Sequence, residues 1–522
     1  MERRGTAQSR ASAYKLTLVN FRLRHLPLDT LREHVIVIHQ DAVQNGNLGL
    51  HPLDRARVFG IDRQTGRQRE ITGVLNVCSD GLLEADEIGL SEEAFHDLGL
   101  PDGAEVNASF AVAPPSVDLV RAKLRGKRLR RADFDAILAD VAARRYSRIE
   151  LSMFVLGCAF ENFDLSELTD YTLAMIATGE QLTFGPSIVA DKHCIGGVPG
   201  NRTTMILVPI LAELGLKIPK TSSRAVTSPA GTGDTMAVLA DVALSPERLY
   251  RVVEEVGGCI AWGGALELAP ADDILITVER PMEIDTETQM VASILAKKKT
   301  AGATHVLIDI PVGSSAKVKT PEAAEHLSRL FMAVAERIGL RLEIATTPAL
   351  GPIGYGIGPR LEALDVLSVL RCEPRAPADL RERSLMLAGR VLEMTGVAPA
   401  SRGYEAARRT LDSGAALKRF DRIVDAQGRR EIPPAAPLRR DVAAAQAGRI
   451  AQIDCWQISR IAKRAGAPSN APAGVKLYKS VGDTVMRGEP IFEIHAESDS
   501  QLQAALEYSN SVPRLVRYAD DR

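Results

Sequence analysis

"DKHCIGGVPGNRTT", Asp191 to Thr204, is the stretch on which the reading of the fold turns. Helix interiors avoid this density of glycine, and an ordinary loop has little use for Lys and His side by side. Just upstream, "IVA" has the character of a short apolar strand, and Asn201 to Leu214 carries a helical pattern. The stretch therefore reads as a strand end turning into a helix. A glycine-rich turn of this kind exposes unpaired N–H groups and the positive end of the helix dipole, where α/β proteins hold anions. Lys192 adds a point charge. The competing reading is a tight β–α turn with a solvated Lys-His pair. Neither G-x-x-x-x-G-K-[ST] nor G-x-G-x-x-G occurs here.

A second polar loop, "KTSSRAVTSPAGTGDT" (Lys220 to Thr235), follows the next strand. Its hydroxyls and one guanidinium suit a phosphate or a sugar, although Thr232 also suits a helix cap. Loops after consecutive strands share one edge of a parallel sheet, which is where ligands bind. A third segment, "IDTETQMVASILAKKKTAGATHVLIDIPVGSSAK", supplies Asp285, Ser293, Lys297 and Lys317. Helical spacing puts Ser293 and Lys297 on one face. "AKKK" reads equally well as a solvated basic helix end.

Further outward, strand and helix signals alternate from "SIVADKH" through "LKIPKTS" and "HVLIDIPVG" to "RLEIATT", which predicts a parallel α/β sheet. "GYGIGPR" reads as a structural turn, with Pro359 at a first helical position. The domains expected are a β-rich extension over 1–114, a helical domain over 117–183 completed by helices around 235–256, an α/β domain over 184–416 and a C-terminal β-rich domain over 417–522. Within the first, "LGLHPLDRARVFG" (Leu48 to Gly60) is echoed fifty residues later by "LGLPDGAEVNASF", suggesting two halves of a small barrel. "AAPLRRDVAAAQAG" reads as a loose segment before the last strands.

The chain has 522 residues, 45% apolar and 25% charged, as in a soluble multidomain protein. Sixty-four basic against sixty-six acidic side chains leave no field that argues for nucleic acid or membrane. Six scattered cysteines without C-x-x-C read as reduced thiols, and no run approaches a membrane span, so a cytoplasmic protein is expected. His51, His96, His305, His326 and His495 look isolated, and no metal site is predicted.

"DKHCIGGVPGNR", "SSRAVTSPAGTGDT", "ASILAKK" and "GDTVMRGEPIFEIHA", in this order, resemble the thymidine phosphorylase superfamily, from about Val117 to the C-terminus. The chain looks most similar to the branch holding AMP phosphorylase and the type 2 thymidine phosphorylases. The resemblance implies a multidomain α/β protein: a barrel-like N-terminal domain, a helical domain with a mixed-sheet α/β domain, and a C-terminal α+β domain, usually assembled as a homodimer. It implies phosphate near Lys192, Ser222 and Thr232. Gly197, Ser223, Arg224, Ala225, Val226, Thr227, Ser228, Thr232, Ser293, Lys297 and Lys317 would line the nucleotide, and Asp285 matches a proton donor. Two departures stand out. Cys194 replaces a common Ser, and the pyrimidine-gripping arginine has no aligned counterpart, Arg280 being two places out of register.

Breaking an N-glycosidic bond builds positive charge on the sugar and negative charge on the departing base. An enzyme doing so with phosphate must hold the anion below C1′ and neutralise or protonate the base, for which His193 and Asp285 are the candidates. Inorganic phosphate is then a co-substrate, and no metal or organic cofactor is required. The expected substrate is a nucleoside 5′-monophosphate such as AMP, or a pyrimidine nucleoside. The alternatives are strict thymidine phosphorylase, a non-catalytic nucleotide-binding protein, and an anthranilate phosphoribosyltransferase-type enzyme.

Overall fold

Alternation of apolar and polar residues makes the strands of the N-terminal part. Arg55–Ile61 turns Ala56 and Val58 inward and Arg55 and Arg57 outward. The computed structural model describes residues 19–31, 33–45, 50–79, 81–160, 163–225, 228–266, 268–284, 286–512 and 514–519. Six strands, Val19–His25, Val35–His39, Arg55–Ile61, Gln68–Cys78, Glu87–Leu90 and Glu105–Phe110, close into a barrel in the order first, fifth, second, fourth, third, sixth. The first pairs parallel with the fifth and the second with the fourth; all other pairings are antiparallel. Exchanging the first three strands with the last three reproduces every pairing, so the barrel has an internal twofold. The echo in the sequence marks it: its two copies lead into the third and the sixth strand. Closure leaves no exposed strand edge, and Phe21, Leu23, Ile36, Ile38, Val58, Leu75, Ile88, Leu90 and Val106 fill the interior.

Contacts group 19–160 with Ala271–Ile284, and 163–270 with 286–519. This division differs from a helical domain over 117–183 completed by 235–256. Helices Ser116–Leu124, Arg131–Ala142 and Arg148–Phe160 belong with the barrel. The fourth, Leu165–Ala177, belongs to the second unit, where Tyr171 donates to Gln289 at 2.5 Å. Helix Pro246–Val256 also joins the second unit, burying Leu249, Val252, Val253 and Val256 in its core.

In that unit the strands Arg341–Pro348, His305–Val312 and Ala190–Cys194 pair in this order, and Ile218–Ser222 pairs with Gly258–Trp262. The bridge Val189↔Lys217 joins the two groups, and all five strands run parallel, so this sheet is parallel rather than mixed. Helix Thr203–Glu213 packs behind them. From Thr203 through Ala212 every residue is buried, as its apolar run from Met205 demands.

The expected C-terminal boundary at residue 417 falls within a helix. Helix Ala415–Gln427 inserts Phe420, Ile423 and Val424 into the α/β core. The segment read as loose holds strand Leu438–Ala443. Beyond it, antiparallel strands and helices Cys455–Arg464 and Asp499–Ser511 enclose a separate core. "GYGIGPR" contributes strand Gly356–Ile357, which pairs with Gly474–Leu477. Three histidines read as isolated meet carboxylates: His326 lies 3.2 Å from Glu287, His495 2.6 Å from Glu493 and His96 3.8 Å from Asp97.

Candidate active site

Strand Ala190–Cys194 delivers side chains alternately to the two faces of the sheet, and both faces bury charge. On one face Lys192, 0% exposed, donates to Thr203 Oγ1 at 2.9 Å and lies 3.4 Å from Asp309 Oδ2. Asp309 Oδ1 accepts from the Thr347 hydroxyl at 2.7 Å, and Arg383 donates to that hydroxyl at 3.3 Å. Burial alone would raise the Asp309 carboxyl, but Lys192 and Thr347 more than offset it and hold it below the usual range. Cys194 accepts from Asn201 Nδ2 at 3.3 Å, and burial with the Asp309 charge pushes its thiol up to about 12. At neutral pH it is a thiol, not a thiolate.

On the other face Asp191 lies 2.8 Å from Lys298 Nζ and 3.1 Å from Lys220 Nζ. Both lysines are buried, and Lys298 also reaches the Thr221 carbonyl at 3.4 Å. Burial lowers the Lys220 ammonium pKa, and Lys298 lowers it further against the pull of Asp191. At this strand end three buried lysines (Lys192, Lys220, Lys298) meet two carboxylates (Asp191, Asp309); with the Lys220 ammonium brought down to about 7, the surplus positive charge is complete only below that pH. His193 feels it. Burial, then Lys298, Lys220, Lys192 and Lys317, hold its imidazole well below the ordinary histidine range. It is neutral at physiological pH, able to donate a ring N–H but not to arrive as a cation.

The turn that follows requires its glycines. Gly196 and Gly197 have φ of +97° and +87°. A Cβ on Gly197 would stand 2.6 Å from the Lys317 backbone nitrogen, and one on Gly200 2.0 Å from the Ile353 oxygen. Next comes a buried guanidinium that sequence reasoning passed over. Arg202 donates to Thr232 Oγ1 at 3.1 Å and to the Ala230 carbonyl at 2.7 Å, and its Nε meets the fully buried Glu362. It thereby ties the first loop to the second. The available signal was an arginine heading a mostly apolar helix, which must find a buried partner.

In the second loop, Asp234 Oδ2 accepts from the amides of Ala225 at 2.6 Å and Gly231 at 2.9 Å. Ser228 bonds the Ala230 carbonyl at 2.8 Å, and Ser222 the Ser223 carbonyl at 3.2 Å. Ser223 and Arg224 are exposed, the Arg224 guanidinium lying 4.6 Å above the Trp262 ring. Thr232 opens helix Thr232–Ala237. Val226, Thr227 and Asp285 lie outside the described residues. On helix Glu287–Thr300, Ser293 and Lys297 are both half-buried, one turn apart. Lys298, one step on, turns inward to Asp191, so the solvated reading of "AKKK" fails there. Lys317 is exposed, with its backbone against Gly197 and its charge reaching His193. The structure thus brings Lys192, His193, Gly197 and Lys317 together around one turn. Arg280 stands on helix Pro270–Met282, in the segment grouped with the barrel.

Parallel strands, a glycine turn and buried lysines thus stand beside a neutral imidazole. Residues 186–417 match the glycosyl transferase family, a/b domain, and residues 449–512 match the pyrimidine nucleoside phosphorylase C-terminal domain. The fold is similar to that of anthranilate phosphoribosyltransferase from Thermus thermophilus, with a TM-score of 0.51, 18% identity, and 59% of this chain and 99% of that chain covered. A protein of Polaromonas sp. named "Putative thymidine phosphorylase" is 47% identical over 506 residues, 97% of this chain and 98% of the relative. One of the same name from Methylococcus capsulatus is 47% identical over 493 residues, 94% of each chain. The molecule is a glycosyltransferase of the pentosyl-transferring class. The chain belongs to the thymidine phosphorylase family.

Proposed function

We propose that the protein cleaves the N-glycosidic bond of a nucleoside 5′-monophosphate such as AMP, or of a pyrimidine nucleoside, with inorganic phosphate, releasing free base and a pentose 1-phosphate. The observation that carries this reading is the buried excess of positive charge under the glycine turn. An anion offsets that charge, and phosphate is the anion the chemistry needs below C1′. In this reading the Lys192 charge, Ser222 and Thr232 serve phosphate. Gly197, the run from Ser223 to Ser228, Ser293, Lys297 and Lys317 serve the nucleotide. His193 donates a neutral N–H to the departing base, and Asp285 supplies the proton a purine requires. The chemistry asks for no metal or organic cofactor. Family resemblance supports a homodimer or larger homo-oligomer in the cytoplasm.

Lys317, exposed beside Gly197, favours a substrate with its own phosphate. The second reading is strict thymidine phosphorolysis, favoured by the names of the relatives and by the C-terminal match. A panel of nucleosides and their 5′-monophosphates, assayed for phosphate-dependent base release, separates the two. Faster turnover of AMP or CMP than of thymidine supports the first; equal or faster turnover of thymidine restores the second. In Asp285→Asn the proposed acid is gone, so kcat on a purine substrate should fall by about 10²-fold with KM little changed. Near-normal kcat with lowered thermal stability would reduce Asp285 to a loop-ordering role.

A further inference from the structure

An ammonium on a four-carbon stem has three donors and many rotamers, so a phosphate-binding lysine needs something to fix it. Lys192 has two fixing contacts, Thr203 Oγ1 and Asp309. Thr203 belongs to the helix behind the turn, whereas Asp309 belongs to the neighbouring strand, directly opposite Cys194 in register. From Asp309 a row of polar groups continues across the sheet face through Thr347 to Arg383. Asp309 is 0% exposed, its Oδ1 is taken by Thr347, and its Oδ2 faces the Lys192 ammonium at 3.4 Å. A buried ion pair is a poor way to gain stability, since apolar residues of the same volume serve as well. Its retention at the ligand edge of the sheet points to work done on the lysine.

Cys194 fits the same arrangement. Its sulfur accepts from Asn201, and its thiol faces Asp309. The serine-to-cysteine change noted in the sequence therefore falls on a side chain engaged with the supports of the site.

We infer that Asp309 is a positioning residue of this reaction: it fixes the Lys192 ammonium under the glycine turn, is itself oriented by Thr347 and Arg383, and acts on phosphate only through Lys192. This rests on the phosphate role proposed for Lys192.

The test uses the full chain, with phosphate varied at saturating nucleoside substrate and the converse. In Asp309→Asn the KM for phosphate should rise by about tenfold or more while the KM for the nucleoside changes less than about twofold. Thr347→Val removes the hydroxyl that orients Asp309 and should act in the same direction more weakly. It carries the test if Asp309→Asn does not fold. An unchanged or lowered phosphate KM in the folded variants, or phosphate and nucleoside KM rising together, overturns the positioning role. A wild-type phosphate KM in Lys192→Ala would instead overturn the phosphate role on which the inference rests.

Discussion

Asp191 and Lys192 are neighbours in one strand, yet their side chains enter clusters of different electrostatic character. Lys192 joins one carboxylate, two threonine hydroxyls and a distant guanidinium, in a set that is close to neutral at its centre. Asp191 is shared by two lysines, in a set that becomes one charge positive as pH falls below about 7, where Lys220 is protonated. The first cluster suits holding a group in place. The second suits raising the potential around whatever lies above it, which is where His193 lies. Water screens such potentials at a surface, whereas burial preserves them. Pre-positioning and charge are thus supplied from opposite faces of one strand end.

Several substitutions would break this contrast, and Asp191→Asn should have the largest effect. It leaves two buried ammonium groups facing each other, and removing one partner of a buried pair costs about 3–5 kcal/mol. Urea denaturation should show that loss. Stability within about 1 kcal/mol of wild type would mean the lysines find other partners.

Lys192→Ala should lose roughly 2–4 kcal/mol of transition-state stabilisation, read as kcat/KM for phosphate. Wild-type turnover would remove this strand end from the reaction.

Lys317→Ala should be milder. An exposed cation contributes little before it is enclosed, so its loss should cost 5′-monophosphates about two- to fivefold in kcat/KM relative to nucleosides. Equal losses for both substrate classes would place Lys317 outside phosphate recognition.

The smallest expected effect concerns pH and stability. The folded His193 pKa is depressed, so below roughly pH 6.5 the unfolded chain binds a proton that the folded chain refuses. Stability should fall as pH drops from there towards the folded pKa. Asp191 and Asp309, whose pKa values are also depressed, should add a further loss below about pH 4. In Lys220→Met the positive field on His193 weakens, and the first part of this decline should flatten. A decline identical to wild type would mean that Lys220 does not act on His193.

Much of the architecture was legible because it is written locally. Period-two runs marked the strands, a glycine-rich stretch before an apolar run marked the strand–turn–helix, and the fifty-residue echo marked the two barrel halves. What was not legible depends on partners far along the chain. Nothing near Lys298 separates it from Lys297 and Lys299; only the orientation of helix Glu287–Thr300 against Asp191 does. Arg202 meets Glu362 across one hundred and sixty positions, which no local pattern reports. Helix boundaries between units failed for the same reason. An amphipathic stripe announces that Leu165–Ala177 must be covered, not by which unit. The depressed pKa of His193 follows from burial first and then from lysines, three of them on other segments, so its neutrality could not be read from "DKH".

The most direct measurement is the titration of the His193 ring by NMR, with and without phosphate, using Lys220→Met as a control. Without phosphate, His193 should remain neutral well below the ordinary histidine range. Bound phosphate should offset the excess charge and raise its pKa, and Lys220→Met should raise it even in phosphate-free buffer. An ordinary titration without phosphate, or one that phosphate leaves unmoved, would contradict the account of a buried positive excess that holds the anion.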